Sequence, residues 1–159
     1  DRDVPASGAM GKTCSFALGL ALARPETKII VFDGDGSLLM NLGALVTTAT
    51  KAPKNFYHFV MDNGVYATTG GQEVPGAGTT DYAEMGRSAG YVHSHQFDNL
   101  EDFATQVSDI MNEEGPVLVA CKIIPNIRYS EERAASSGPV TRRTPEAIET
   151  LIEEFRSSG

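Results

Sequence analysis

Asp35 stands between two glycines in Asp33-Gly34-Asp35-Gly36-Ser37, directly after the apolar run Ile29-Ile30-Val31-Phe32. Glycine on both sides lets the backbone approach an anion closely, and a helix opening there adds positive potential at its amino end. A carboxylate in that position repels a phosphate unless a divalent cation lies between them. Asp35 therefore reads as a ligand for a hard ion, Mg²⁺ by preference, that serves a phosphorylated cofactor. The same residues also suit a tight strand-to-helix turn with Asp35 as a cap. The second half of the pattern is Asn63-Gly64-Val65-Tyr66, with Asn63 lying 28 positions beyond Asp35. One strand-helix-strand unit has that length, so both residues should emerge side by side at one sheet edge. The Asn63 side-chain oxygen and a carbonyl turned inward by Gly64 would extend an oxygen set that Mg²⁺ accepts. Taken alone, Asn63-Gly64 is an ordinary turn.

Strands and helices must alternate to hold such a site. Residues 28–33, 55–62 and 116–124 are short β-branched runs without alternation, the pattern of strands covered on both faces. A weaker strand covers 91–96. Residues 11–24 and 38–51 have helical patterns, the latter closed by Pro53. In 99–111, Leu100, Phe103, Val107 and Ile110 form an apolar stripe behind an acidic first turn. A further helix opens at Thr144-Pro145-Glu146. This order implies an α/β three-layer sandwich with a mostly parallel sheet, whose ligands bind beyond the carboxyl ends of the strands. Residues 64–80 and 125–143 carry neither pattern, and loops of that length are functional or mobile.

The composition narrows the class. A chain of 159 residues is about one domain's worth, with 41% hydrophobic and 21% charged residues, the balance of a soluble globular protein. A net charge of −8 argues against binding a phosphate backbone, and no apolar run is long enough to span a bilayer. Two cysteines, Cys14 and Cys121, do not make a disulfide scaffold, so a reducing cytoplasm is expected. The chain begins Asp1-Arg2-Asp3 without an initiator Met, and the natural start is expected upstream.

Gly34-Asp35-Gly36-Ser37-Leu38-Leu39-Met40-Asn41, followed by Met61-Asp62-Asn63-Gly64-Val65-Tyr66, resembles the diphosphate-binding signature of thiamine diphosphate enzymes. Ala6-Ser7-Gly8-Ala9-Met10-Gly11 is similar to the segment that grips the cofactor's aminopyrimidine. The resemblance runs from about Gly8 to Ile124 and is strongest to the sulfopyruvate and phosphonopyruvate decarboxylase branch. It implies the thiamine diphosphate-binding fold, with residues 1–159 as a single pyrophosphate-binding domain. It also implies that Asp35, the Asn63 side chain and the Val65 carbonyl hold Mg²⁺. Amides around Gly34, Gly36 and Ser37 would hold the diphosphate, with Tyr66 beside it. The Gly8 carbonyl and Met10 amide would meet the pyrimidine edge, and the Met10 side chain would wedge between the two rings. The family usually has Asn where this chain has Asp62, a position that is not a ligand.

In the family a glutamate on a separate pyrimidine-binding domain activates the cofactor, and no segment here is left over for that domain. The resemblance therefore implies a half-site, with an α-type partner subunit supplying the glutamate in a hetero-oligomer. The implied activity is decarboxylation of a short anionic 2-oxo acid such as sulfopyruvate or 3-phosphonopyruvate. Thr68, Thr69, Gly70 and Gln72 follow the metal-binding Asn and are the substrate-side candidates, or else a mobile loop. Arg128, Arg133, Arg142 and Arg143 could neutralise a dianion or lie on the surface. Neither Glu73 nor Glu84 is taken as the activating acid.

Two other classes remain open. One is a non-catalytic cofactor-binding subunit that regulates a partner enzyme. The other is a P-loop hydrolase, suggested by Gly11-Lys12-Thr13 and the run ending in Asp33. Its motif needs Gly where the chain has Ala6, and a strand where it has Asp3-Val4-Pro5. His93 and His95 would share one strand face, but lack a third metal ligand and suit strand-edge polar positions better. Cys14 and Cys121 read as small buried residues.

Overall fold

The computed structural model describes residues 2–6, 8, 10–127 and 143–157, arranged in two units. The larger unit, Gly11–Ile127, contains α1 (Thr13–Ala23), β1 (Ile29–Gly34), α2 (Asp35–Met40), α3 (Gly43–Lys51), β2 (Phe56–Asp62), β3 (Val65–Tyr66), β4 (Gln72–Glu73), α4 (Tyr82–Ala89), β5 (His93–Phe97), α5 (Leu100–Ile110) and β6 (Val117–Lys122). Four strands form a parallel sheet in the order β1-β2-β6-β5, while β3 and β4 make a separate antiparallel hairpin.

Side-chain alternation splits the core into two layers. Val31, Phe56, Val60, Leu118 and Ala120 pack with Cys14, Leu18 and Ala21 of α1, Leu45 of α3 and Tyr82 of α4. Tyr57, Phe59, Val117, Val119 and Phe97 pack on the other side with Phe103 and Ile110 of α5. Helices on both sides of a parallel sheet are the expected three layers. The expectation that β1 is covered on both faces fails. Ile30 is exposed, and Phe32 is 66% exposed although its ring centroid lies 5.2 Å from that of Phe59. The reason is position: β1 is an edge strand, and the apolar cluster beneath α5 draws on β2, β6 and β5.

The helix expected over 38–51 is two helices. The first starts earlier, at Asp35, and ends at Asn41. There Asn41 leaves the helical region, with φ −146° and ψ 55°, and its side-chain amide donates to the Gly11 carbonyl at 3.0 Å. The helix α4 was not anticipated, although its signals are present. Asp81 accepts from the Glu84 amide at 2.7 Å, and Gly90 closes the end with φ 104°.

Asn99 caps α5, accepting from the amides of Glu101 at 2.8 Å and Asp102 at 3.2 Å. Asn99→Ala should lower stability by about 1 kcal/mol, read as a shift of the urea midpoint with unchanged slope. An unchanged midpoint would show that the cap contributes nothing.

The smaller unit comprises Asp1–Met10 and Arg128–Gly159. Its helix α6 (Thr144–Ser157) buries Ala147 and Leu151. The Thr144 hydroxyl donates to the Pro5 carbonyl at 2.6 Å, and Arg2 pairs with Glu154 at 3.1 Å. Arg143 presents its amide to Glu146 at 3.2 Å. Arg128, Arg133 and Arg142 lie outside the described residues. Among the described residues, no helix is long and apolar enough to cross a membrane.

Candidate functional site

Parallel register sets Asp33 beside Val60 and Gly34 beside Met61, so β1 and β2 end level with one another. Asp35 then opens α2, and Asn63 follows β2 directly. The two candidate ligands thus meet at the carboxyl edge, as their spacing requires. Asp35 is 2% exposed, and its Oδ2 accepts from the Gly64 amide at 2.8 Å. The Asn63 Oδ1 accepts from the Val65 amide at 2.9 Å. Gly64 makes this turn with φ 69°, and its carbonyl accepts from the Val74 amide at 2.9 Å. Val65 and Tyr66 form β3, and the Val65 carbonyl accepts from the Ala67 amide at 3.0 Å.

Two acidic side chains are buried at this edge. Besides Asp35 there is Asp62, at the end of β2. Burial first, and then the neighbouring Asp35 charge, pushes its carboxyl above the usual range, with Lys122 and the Gly64 amide acting the other way. Tyr82 of α4 is buried too, and its hydroxyl has no hydrogen-bond partner among the described residues. Burial and the charges of Asp35 and Asp62 push the phenol up, so it stays a neutral donor. The Asp35 carboxylate, the Asn63 side-chain oxygen and the Val65 carbonyl are oxygen donors, the kind that Mg²⁺ accepts. Among the described residues no group of three or more His, Cys, Asp and Glu is arranged to hold a metal. A cation here would depend on one carboxylate and neutral oxygens.

A Cβ placed on Gly36 would stand 2.3 Å from the Tyr66 ring. Gly36→Ala should therefore displace Tyr66 and cost roughly 1–3 kcal/mol, measured by denaturant melting. Full stability would mean that the ring yields freely. The Ser37 hydroxyl accepts from the Gly11 amide at 3.0 Å, tying the approach to α1 to the start of α2.

The other candidates divide between the two units. Gly8, with φ 69°, and the exposed Met10 belong to the smaller unit; Ser7 and Ala9 lie outside the described residues. Thr68, Thr69 and Gly70 lie in the exposed turn from β3 into β4, which Gln72 opens. The Thr69 hydroxyl donates to the Gln72 side-chain oxygen, and the Gln72 amide group returns a bond to the Thr69 carbonyl, both at 3.0 Å. Glu73 is exposed on β4, and Glu84 pairs with Arg87 at 2.9 Å. His95 meets Glu113 at 2.8 Å and His93 lies 4.0 Å from it, at the amino end of the sheet and remote from Asp35. Gly11 leads into α1 with no strand before it among the described residues, contrary to a P-loop.

Sequence reasoning missed one cluster beneath the site. His58 of β2 is fully buried, its Nε2 is 3.7 Å from Asp33 Oδ2, and its Nδ1 is 3.4 Å from the Tyr91 hydroxyl. The first distance is an ion-pair separation and too long for a hydrogen bond. Burial opposes the cation, but Asp33 and the Cys14 side chain outweigh it and push the imidazole up to about 9. Burial pushes the Cys14 thiol up, while the adjacent imidazole outweighs this and holds it below its ordinary range. The available signal was one titratable residue within an apolar strand.

Residues 4–121 match the family model described as thiamine pyrophosphate enzyme, C-terminal TPP binding domain. The chain belongs to that family, whose cofactor class is the one the Asp35–Asn63 pair suggests. Among its relatives, it is 39% identical over 118 residues to phosphonopyruvate decarboxylase of Streptomyces hygroscopicus, covering 74% of this chain and 29% of that protein. It is 38% identical over 125 residues to sulfopyruvate decarboxylase subunit beta of Methanocaldococcus jannaschii, covering 79% and 64%. For the subunit beta of Methanothermobacter thermautotrophicus the identity is 35% over 153 residues, covering 95% and 74%. The solved thiamine diphosphate-dependent 4-hydroxybenzoylformate decarboxylase of Rhodococcus jostii superposes with a TM-score of 0.65 at 25% identity, over 78% of this chain and 25% of that one. The chain thus spans under a third of the phosphonopyruvate enzyme and about two thirds of the Methanocaldococcus subunit.

Proposed function

We propose that this chain is the pyrophosphate-binding half of a thiamine diphosphate- and Mg²⁺-dependent decarboxylase acting on a short anionic 2-oxo acid, sulfopyruvate or 3-phosphonopyruvate. The observation that carries the reading is the meeting of Asp35 and Asn63 at one sheet edge, with the Gly64 amide bonded to the Asp35 carboxylate. Asp35, the Asn63 carboxamide and the Val65 carbonyl hold Mg²⁺, and amides around Gly34, Gly36 and Ser37 hold the diphosphate beside Tyr66. By the family resemblance, the Gly8 carbonyl and the Met10 amide would bind the aminopyrimidine, and the Met10 side chain would pack against the cofactor. Thiamine diphosphate, when bound, supplies an electron sink for the pair left behind as carbon dioxide departs. Thr68, Thr69, Gly70 and Gln72 contribute hydroxyls and amides toward the substrate's acidic groups.

The whole of residues 1–159 acts as one pyrophosphate-binding domain, and an α-type partner chain supplies the activating glutamate. The names of the sulfopyruvate relatives, which are beta subunits, support this. So do the apolar side chains left exposed on neighbouring helices: Phe16 on α1, Met40 on α2 and Val46 on α3. Uncovered apolar surface of this kind is what a partner chain would cover. The buried free thiols Cys14 and Cys121 suit a reducing cytoplasm.

The test is thermal melting with Mg²⁺ and thiamine diphosphate, with and without the co-expressed partner, followed by carbon dioxide release from each 2-oxo acid. A ligand-dependent rise with the partner, plus turnover, supports the reading. Binding without turnover of either acid would favour the non-catalytic subunit. No rise, alongside stabilisation by ATP, would favour the hydrolase.

A further inference from the structure

We propose that His58 is a positioning residue: its buried contact with Asp33 sets the end of β1 and thereby the place of Asp35 at the head of α2. This rests on the reading of Asp35 as a cation ligand. Register puts Val31 beside His58 and Asp33 beside Val60, so Asp33 and His58 are diagonal neighbours on one face of the sheet. Both are buried, and 3.7 Å separates Nε2 from Oδ2. Burying a carboxylate and an imidazole inside an apolar layer is costly unless each offsets the other.

The location of the pair supplies the reason to keep it. The glycines that let a ligand approach, Gly34 and Gly36, also leave the turn without side-chain anchors. Asp33 is the last side chain tying β1 to the core before Asp35. Its partner is itself held, with the His58 ring between Phe56 at 6.0 Å and Tyr91 at 6.5 Å. Mg²⁺ demands near-ideal octahedral geometry, so small displacements of Asp35 weaken binding. Groups that orient a ligand in this way typically change metal affinity ten- to a hundredfold, as order of magnitude.

The sign of the effect separates positioning from charge. Removing a cation near the site makes it more negative, which alone would bind Mg²⁺ as tightly or more tightly. Misplacing Asp35 loosens it. The experiment is calorimetric titration of Mg²⁺ into the chain assembled with its co-expressed partner and saturated with thiamine diphosphate, for wild type, His58→Phe, His58→Gln, Asp33→Asn, the double variant, Val119→Ala and Asp35→Ala. Val119→Ala disturbs the opposite core layer and controls for general destabilisation.

His58→Phe and Asp33→Asn should each raise the Mg²⁺ dissociation constant about tenfold or more. The double variant should be no worse than either alone, because both act through one contact. Val119→Ala should stay near wild type. Asp33→Asn removes an anion, which by itself weakens Mg²⁺ binding, so His58→Gln carries the test if His58→Phe does not fold. Mg²⁺ binding as tight as wild type in the His58 or Asp33 variants overturns the inference, as does equal weakening in Val119→Ala. Should Asp35→Ala also bind normally, or wild type not bind at all, the site reading itself fails.

Discussion

Asp35→Ala should abolish the rise in melting temperature produced by Mg²⁺ with thiamine diphosphate, and leave decarboxylation by the assembled protein undetectable. Ligand at about 100 times its dissociation constant stabilises a fold by about 2.7 kcal/mol. For a chain of 159 residues, that corresponds to roughly 5–10 °C. The substitution removes the one ionised donor proposed for Mg²⁺, and neutral oxygens from Asn63 and Val65 do not replace its charge. Asp62 stands near, but its carboxyl is pushed toward the neutral form by burial and by Asp35. Without ligand the effect on stability is smaller. The Gly64 amide loses its acceptor, costing about 1–3 kcal/mol, while relief of repulsion at Asp62 offsets part of this. Retention of the full ligand-dependent shift would show that the diphosphate and its cation bind elsewhere.

The second large expected effect is a loss of stability in alkali. The His58 imidazole is raised from 6.5 to about 9 in the folded chain. Below pH 6.5 it is protonated in folded and unfolded chains alike, and its stabilising contribution is complete. As pH climbs through about 9 the folded protein releases the proton and the contribution disappears. A shift of that size is worth about 3 kcal/mol as order of magnitude. The titratable groups facing the ring are Asp33 from β1, Cys14 from α1 and Tyr91 from the segment before β5. Cys14, held low by the imidazole, acts with the opposite sign, because a depressed acid adds stability as pH rises. It offsets part of the decline. Urea melts from pH 6 to 10 should therefore show falling stability in wild type and a flatter profile in His58→Phe. Equal slopes in the two would show that His58 is neutral in the fold.

Elements governed by local rules were legible in the chain. Asn99 capped the helix expected of it, and the runs at 55–62 and 116–124 became β2 and β6 within a residue or two. The helix α4 was equally local, with Asp81, Glu84 and Gly90 at cap positions, but its apolar stripe is thin beside those signals. The break at Asn41 was not legible in the apolar pattern, nor was the bond from the Asn41 side chain to the Gly11 carbonyl thirty residues away. Nor was the exposure of Phe32, since a β-branched run reads alike in an edge strand and a central one. The polar composition of the turn at 68–72 was legible, whereas the mutual bonds between Thr69 and Gln72 were not.

By itself, the sequence determined the alternation of strand and helix and the pairing of Asp35 with Asn63. Parallel strands joined through a helix end at the same sheet edge, so residues that follow their two carboxyl ends become neighbours in space. Tertiary structure alone decided what surrounds that pair. Asp33, His58, Cys14 and Tyr91 come from four separate segments, and Tyr82, which feels the charges of Asp35 and Asp62, comes from a fifth. Their proximity depends on strand register and on which helix covers which face. Those are set by packing among residues far apart in the chain, where no spacing rule applies.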